Sequence, residues 1–335
     1  MEASVIVPSC GRPITVRRTL QSVLAADAAR HDVEIIVIDN NSEEHFSLDL
    51  RSFCGSLGHP VRYLAEPSPG VAAARHRGAK EARGEILLFI DDDVEVSSGW
   101  LGAVLEVFRG SDVGIVGGPS IPRFTGAVPA WLWDFIEPGP LGGWHCSWLS
   151  LLDIGKSVEA IDADWIWSLN LSVRRKLFVG VGGQHPCYVP PAVQRWQGDG
   201  ELGFTSRAKA SGARATYVHE ALIYHLIGVD RLNPDYFARR SRYQAVCDSF
   251  TAIRGGAQPS LSGQTPPAPP APTRTTPWSR VAEEIWKVVA AAYEQGWAFH
   301  QGEAARDPRL LEWIRRDNYW DADIRDQARR FEASR

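Results

Sequence analysis

Short runs of apolar, largely β-branched residues alternate with amphipathic segments over roughly the first hundred residues of the chain. Four of these runs predict buried strands, at residues 4–8, 33–39, 61–64 and 85–90. A segment that starts at Thr15 and another at residues 70–82 carry apolar residues at helical spacing and predict helices. Strands and helices in this order predict an α/β fold with a mostly parallel sheet.

The most informative stretch is residues 87–96, where four apolar residues run directly into Asp91, Asp92 and Asp93. In open α/β sheets, ligands bind in the crevice at the carboxyl ends of the strands. Adjacent carboxylates raise one another's pKa unless a cation lies among them, and hard divalent cations commonly bridge carboxylates to phosphate oxygens. The stretch therefore predicts a metal site that holds a diphosphate, and the alternative is a solvated acidic turn.

A second predicted strand also ends in an acidic residue, Asp39. A single aspartate at the end of a strand is often only a helix cap. Two such aspartates on neighbouring strands, with Arg12 and Arg75 nearby to bind phosphates, indicate a nucleotide site.

Glycine-rich phosphate loops do not explain such a site. The chain contains no Gly-x-x-x-x-Gly-Lys-Ser/Thr segment, and its single Gly-x-Gly-x-x-Gly, at residues 198–203, does not follow a buried strand. That segment also carries two acids where a pyrophosphate would bind, so we interpret it as a chance match. Metal and arginine remain as the means of holding phosphate.

Four segments of the chain together resemble the family-two glycosyltransferases of the GT-A fold, in the same order and spacing. They are residues 5–8, 37–42, 70–78 and 89–93. The resemblance implies a Rossmann-like mixed sheet and transfer with inversion. It implies that Asp39 binds the base of a nucleotide-sugar donor, that Arg75 and Asp91 line the donor site, and that Asp93 coordinates Mn²⁺ or Mg²⁺. The sequence departs from the family pattern at Cys10, Gly11 and His76.

The predicted donor-site residues are Pro8, Arg12, Asp39, Arg75, Asp91, Asp92 and Asn170. Asn170 occupies the asparagine position of a family segment that precedes an apolar strand. We expect Asn170 either to contact a sugar or, equally, to stabilise a turn. The resemblance also makes His225 a metal ligand beside Asp93, although a lone histidine after a strand is usually structural.

The predicted catalytic residues are Asp199 and Glu201, in a second acidic segment that opens a helix. The hydroxyl of a sugar must lose its proton as it attacks the anomeric carbon, and a nearby carboxylate accelerates that step by about 10²–10⁴-fold. Alignment with the family segment places Asp199 at the general base and Gly198 at the usual glutamate, and it leaves Glu201 as the alternative base. The alternative is that these acids have no catalytic role and lie at the start of a helix because the helix dipole favours negative charge there.

Composition narrows the class of protein. The net charge of −4 gives no basic field for nucleic acid, and five cysteines without metal-type spacing suit free thiols in a reducing compartment. The first residues show no signal-peptide pattern, and no segment reaches the ~18 consecutive apolar residues of a membrane span. We expect a cytoplasmic protein, with peripheral contact at the inner membrane face as an option.

The chain is expected to divide into a catalytic domain at residues 1–254, a Pro/Gly-rich linker at 255–277 and a helical tail at 278–335. The donor half is placed at about residues 1–118 and the acceptor half at about 119–254. The tail is predicted to form helices at residues 278–299 and from about 308 to 333. We expect this tail to dock on the catalytic domain, to form a homodimer or to touch a membrane surface. Several of the 13 tryptophans, such as Trp131, Trp133, Trp144 and Trp148, lie in the acceptor half, where they stack on a sugar or pack in the core.

The predicted reaction is transfer of a sugar from a UDP-, GDP- or dTDP-sugar to a hydroxyl of a sugar, lipid-linked or small-molecule acceptor. Two other classes remain open. A sugar-phosphate nucleotidyltransferase also uses strand-terminal acids with Mg²⁺, but residues 9–13 make a poor phosphate loop. A non-catalytic module that keeps the fold and binds a nucleotide sugar is favoured only by Gly198.

Overall fold

The computed structural model describes residues 1–26, 31–57, 61–260 and 277–332. For residues 330–332 it describes only the backbone. The strands are β1 Ala3–Ser9, β2 Val33–Asp39, β3 Val61–Ala65, β4 Ile86–Ile90, β5 Val94–Val96, β6 Ile115–Gly117, β7 Ser120–Phe124, β8 Glu137–Pro138, β9 Trp144–Cys146, β10 Leu151–Asp153, β11 Asn170–Arg174, β12 Ala215–Tyr217 and β13 Ile223–Ile227. The helices are α1 Pro13–Ala25, α2 Glu44–Ser56, α3 Val71–Glu81, α4 Trp100–Gly110, α5 Arg175–Gly180, α6 Glu201–Ala210, α7 Pro234–Arg254, α8 Arg280–Arg306, α9 Pro308–Ile314 and α10 Ile324–Glu332.

The central sheet has the strand order β12-β6-β11-β4-β1-β2-β3. Its neighbouring strands run parallel, except that β11 is antiparallel to both β4 and β6. Every residue of β1, β2 and β4 is buried, which explains why their sequences are continuous apolar runs rather than alternating patterns. The predicted α/β class with a mixed, mostly parallel sheet is confirmed.

A second sheet, of order β5-β13-β7-β10-β9-β8, lies beside the central one. Its first strand, β5, begins directly after Asp93, and its neighbour β13 carries His225 opposite Val94. The connection from β4 through the three aspartates into β5 therefore joins the two sheets. That connection is where the acidic stretch and His225 meet.

Two predictions about helices need correction. Helix α2, which connects the parallel strands β2 and β3, was not predicted, because its sequence has only two fully buried residues, Leu50 and Cys54. The single helix expected from about residue 308 to 333 is instead α9 and α10, with non-helical residues between them. In that connection Tyr319 is buried, and its hydroxyl donates to the carbonyl oxygens of Trp313 and Ile314 at the end of α9.

The helical tail packs against α7. The hydroxyl of Ser241 donates to the carbonyl oxygen of Val289 at 2.7 Å, and the hydroxyl of Tyr293 donates to Asp248 at 2.6 Å. Docking on the rest of the chain is therefore the observed arrangement. Residues 261–276 of the predicted linker lie outside the described residues, and the domain boundaries stay a prediction. None of the helices within the described ranges is both long and apolar enough to span a membrane.

Candidate active site

Three neighbouring strands bring the acidic residues to one edge of the central sheet. Strand β1 lies between β2 and β4, and Ser9 at its end is paired with Asp39 at the end of β2. Asp91 follows the last residue of β4. Because these three strands are parallel, their carboxyl ends form one crevice, as expected for a ligand site in an open α/β sheet.

Asp39 lies in a pocket of hydrogen-bond donors. One carboxylate oxygen accepts from the hydroxyls of Tyr63 at 2.6 Å and Ser47 at 2.5 Å, and the other accepts from the backbone N–H of Ser42 at 3.2 Å. Burial raises the pKa of Asp39, but these hydrogen bonds outweigh burial and lower it. The carboxylate is therefore held ionised and in a fixed orientation. Neither Tyr63 nor Ser47 was singled out from the sequence.

Asp92 and Asp93 are both buried and share the guanidinium of Arg12. Arg12 donates to Asp93 at 2.8 Å and to Asp92 at 3.2 Å, and Ser9 donates to Asp92 at 2.6 Å. Burial and the neighbouring charge of Asp93 raise the pKa of Asp92. Burial also raises the pKa of Asp93, but His225 and the arginines around it lower that pKa below its usual range. Arg12 therefore lies beside the acidic stretch, as the sequence predicted.

Asp93 also meets Arg231 and His225. Arg231 donates to Asp93, and its other terminal nitrogen lies 2.7 Å from Nε2 of His225, which is 3.5 Å from the carboxylate of Asp93. Nδ1 of His225 lies 2.9 Å from the carbonyl oxygen of Leu149. A proton on Nδ1 satisfies that contact, and it leaves the lone pair of Nε2 to accept from Arg231. Arg231 was missed because it belongs to a short helical turn without a local motif.

A chain of hydrogen bonds joins Asp91 to Glu201. Arg75, which is 3% exposed, donates to Asp91 at 2.7 Å and to Gln184 at 3.2 Å. Gln184 donates to the hydroxyl of Ser168 at 2.7 Å, and the backbone N–H of Ser168 donates to Glu201 at 2.9 Å. The donor-side and helix-α6 carboxylates are therefore parts of one network. The sequence gave no signal for Gln184, which lies in a loop.

Asp199 lies in a different environment, although it is only two residues from Glu201. Its side chain is 5% exposed, one oxygen pairs with Nδ1 of His185, and the other accepts from Thr251 at 2.8 Å. Nε2 of His185 in turn accepts from Arg207. Burial raises the pKa of Asp199, but the His185 and Thr251 hydrogen bonds lower it, whereas burial lowers the pKa of His185. An ionised Asp199 and a neutral His185 satisfy every contact.

Two predicted site residues have structural surroundings. Asn170 is 3% exposed, accepts from the indole N–H of Trp100 at 3.0 Å, and donates to the carbonyl oxygens of Pro119 and Ala221. These contacts favour its alternative role in stabilising a turn. Pro8 is a buried residue of β1 that offers no polar side-chain group.

The tryptophans are mostly packing residues. Trp148 is 7% exposed, and Trp131 packs edge-on against Phe135. Trp133, with 58% of its surface exposed, is the exception among the four that the sequence singled out.

Part of the chain is similar to known glycosyltransferases. A model of the family described as Glycosyl transferase family 2 matches residues 4–146. Glycosyltransferase AglE of Haloferax volcanii is 24% identical over 225 residues, which cover 66% of this chain and 66% of AglE. Glucosyl-dolichyl phosphate glucuronosyltransferase of the same organism is 23% identical over 250 residues, 73% of this chain and 75% of that protein. A crystal structure of residues 1–349 of TarS from S. aureus aligns over 100% of this chain and 91% of that one, with a TM-score of 0.47 and 17% identity.

The chain spans 26%, 66% and 75% of the length of three curated relatives. The match to the family model includes β1, β2, β4 and the acidic stretch, which are the elements that build the crevice. Residues 4–146 of the chain therefore match glycosyl transferase family 2, a family of glycosyltransferase enzymes.

Proposed function

We propose that this protein transfers a sugar from a nucleotide-diphosphate sugar to an acceptor hydroxyl, with inversion at the anomeric carbon. The observation that carries the proposal is the chain of hydrogen bonds between Asp91 and Glu201. It links the acidic crevice at the sheet edge, which suits a donor, to a carboxylate at the start of α6, which suits proton removal from an acceptor.

Donor binding is assigned to the crevice. Asp39 would accept hydrogen bonds from the base or ribose, because its carboxylate is kept ionised by three donors. Arg12 and Arg75 would bind the diphosphate, and their guanidinium groups stabilise the negative charge that develops as the nucleoside diphosphate departs. Both arginines already lie against aspartates, so their positions are fixed before the donor binds.

We assign a divalent cation to the same crevice. Asp93 and His225 would hold Mn²⁺ or Mg²⁺, since Nε2 of His225 lies 3.5 Å from the carboxylate of Asp93 and Leu149 orients the ring from the other side. Over the described parts of the chain, no group of three or more His, Cys, Asp or Glu side chains is arranged to hold a metal ion. Diphosphate oxygens and water would complete the coordination, and the cation would supply charge neutralisation at the diphosphate.

Glu201 is our choice as the general base. Alignment with the family segment favoured Asp199, but both carboxylate oxygens of Asp199 are hydrogen-bonded within the protein and its side chain is 5% exposed. Glu201 is only partly buried, and one of its oxygens accepts from Ser168. A base must reach the hydroxyl proton of the acceptor, and Glu201 meets that requirement better.

The name of the glucuronosyltransferase relative supports a lipid-linked sugar as one acceptor class, and polysaccharide or glycoconjugate synthesis as the wider role. A homodimer through the tail stays a prediction, and its best surface is the exposed pair Val281 and Val288, one heptad apart on α8. The expectation of a cytoplasmic protein, with contact at the inner membrane face, also stays a prediction.

The test is nucleoside diphosphate release from a panel of UDP-, GDP- and dTDP-sugars with Mn²⁺ or Mg²⁺. Release from at least one donor, and its loss in Asp39→Asn, supports the proposal; Asp49→Asn, which changes an exposed aspartate, is the matched control. Release of pyrophosphate from a nucleoside triphosphate and a sugar phosphate would instead identify a nucleotidyltransferase. Donor binding without release from any sugar would identify a binding module.

A further inference from the structure

A tyrosine with unusual backbone geometry lies beside the proposed active site. Tyr188 has φ of +50°, a left-handed conformation that bulky side chains rarely adopt, and 51% of its surface is exposed. Contacts of Tyr243 hold it there. Its ring stacks on Tyr243 with centroids 5.8 Å apart, and the hydroxyl of Tyr243 donates to the carbonyl oxygen of the buried Val189 at 2.8 Å. Such enforced strain often marks a binding position.

Arg240 on α7 lies against this tyrosine. Its guanidinium carbon is 5.0 Å from the centre of the Tyr188 ring, and one terminal nitrogen donates to the Tyr188 hydroxyl. Arg12, Arg75 and Arg231 are each paired with an aspartate. Within the described part of the chain, Arg240 forms no such ion pair, and its Nε is buried without a hydrogen-bond partner.

The segment that carries Tyr188 lies close to the proposed active site. A β-carbon at Gly200, the residue before Glu201, would lie 2.9 Å from the β-carbon of Cys187, the residue before Tyr188. A β-carbon at Gly70, which precedes the helix of Arg75, would lie 3.0 Å from the carbonyl oxygen of Cys187. The subsite therefore lies next to the start of α6, where the proposed base is, and next to the start of α3.

We propose that Tyr188 and Arg240 form an acceptor subsite for a saccharide that carries an oxyanion, either the carboxylate of a uronic acid or a phosphate. A guanidinium presents several donors in one plane, which match an oxyanion in a bidentate arrangement. A partly buried guanidinium without a carboxylate partner is costly unless an anion joins it. The exposed surface of Tyr188 supplies an amphipathic contact for the sugar ring. This inference rests on the proposed function, because it names the acceptor class of that site.

The test measures binding of three probes whose rings share the configuration of glucose: methyl glucuronide, glucose 1-phosphate and methyl glucoside. Calorimetric titration uses the intact 335-residue chain with the nucleoside diphosphate that it binds most tightly. We expect at least one anionic probe to bind roughly tenfold or more tightly than the neutral glucoside. Preference for the glucuronide indicates a carboxylated acceptor, and preference for glucose 1-phosphate indicates a phosphorylated one.

Variants assign the preference to the subsite. In Arg240→Gln the anionic and neutral probes should bind within about twofold of each other, whereas Arg240→Lys keeps part of the preference. Arg239→Gln, which changes the exposed neighbour on the same helix, should behave as wild type. Tyr188→Ala should weaken all three probes. Unfolding midpoints and nucleoside diphosphate affinity serve as folding controls. If Arg240→Gln does not fold, Arg240→Lys, which keeps the charge, is used to test the subsite.

Three results overturn the inference. The first is a wild type that does not prefer either anionic probe, including one that binds neither. The second is equal loss in Arg239→Gln and Arg240→Gln. The third is loss of nucleoside diphosphate affinity in Arg240→Gln with the probe preference unchanged, which assigns Arg240 to the donor. Release of nucleoside diphosphate from a donor sugar remains in the first two cases, so the proposed function is tested separately.

Discussion

Two carboxylates that lie two residues apart have different surroundings because of the residue between them. Gly200 has φ of +58°, so the backbone turns sharply before α6 begins at Glu201. Asp199 consequently points to His185 and Thr251, while Glu201 contacts Ser168. On these contacts we propose a structural role for Asp199 and a catalytic role for Glu201.

The structural role of Asp199 predicts a pH-dependent effect of Asp199→Asn. Because the folded-state pKa of Asp199 is lowered, its ionised form stabilises the fold above its unfolded-state pKa of about 3.9, and that stabilisation is lost as the pH falls through the folded-state pKa. At neutral pH the variant should lose about 1.5–3 kcal/mol of unfolding free energy. The difference from wild type should narrow below about pH 4, as measured by urea denaturation across pH.

A matched control separates burial from charge in that comparison. Asp49 is also an aspartate in an ion pair, with Arg17, but half of its side chain is exposed. Asp49→Asn should change the free energy of unfolding by at most about 1 kcal/mol. A difference between wild type and Asp199→Asn that stays constant or grows as the pH falls would contradict the assigned role.

At the scale of elements, helix α6 approaches the His185–Asp199 pair closely through Gly203. A β-carbon at this position would lie closer than 3.0 Å to Nδ1 of His185 and Oδ1 of Asp199. Gly203→Ala should therefore destabilise the protein by about 1–3 kcal/mol despite the better helix propensity of alanine, as measured by thermal or urea unfolding. Gly102→Ala in α4 is the control. Its nearest heavy atom would be 3.9 Å away, so it should be neutral or stabilising by up to about 1 kcal/mol.

The sequence predicted the strands of the crevice well, because buried parallel strands are continuous apolar runs that end in the polar residues of the site. It located Asp39, Asp91 and Asp93 for the same reason. It did not predict Arg231, Gln184 or His185, because they come from loops and short turns whose positions depend on tertiary packing. The different contacts of Asp199 and Glu201 depend on one glycine conformation, and no periodic pattern encodes that.

At the scale of the whole molecule, the tail supports the region around Asp199. The indole N–H of Trp313 on α9 donates to the carbonyl oxygen of Trp196 at 2.9 Å, and the ring of Tyr319 packs on His185 with centroids 4.8 Å apart. Residues after 307 therefore hold the loop that precedes Asp199. The tail contributes to the stability of the site as well as covering α7.

This arrangement predicts a large effect of a substitution far along the chain from the site. Trp313 is 2% exposed, and Trp313→Ala should lower the free energy of unfolding by about 3–5 kcal/mol, as measured by urea denaturation. Trp133→Ala, at a tryptophan that is 58% exposed, should change it by less than about 1 kcal/mol. Equal effects of the two substitutions would show that the tail does not support the fold as described.

The most direct test of the account compares Glu201→Gln and Asp199→Asn in the rate of nucleoside diphosphate release at saturating donor and acceptor. With Glu201 as the base, Glu201→Gln should lower kcat by about 10²–10⁴-fold while the affinity for nucleoside diphosphate stays within about twofold. The folded fraction of Asp199→Asn should keep kcat within about tenfold of wild type. A wild-type rate for Glu201→Gln, or a deeper loss in Asp199→Asn than in Glu201→Gln, would contradict the account.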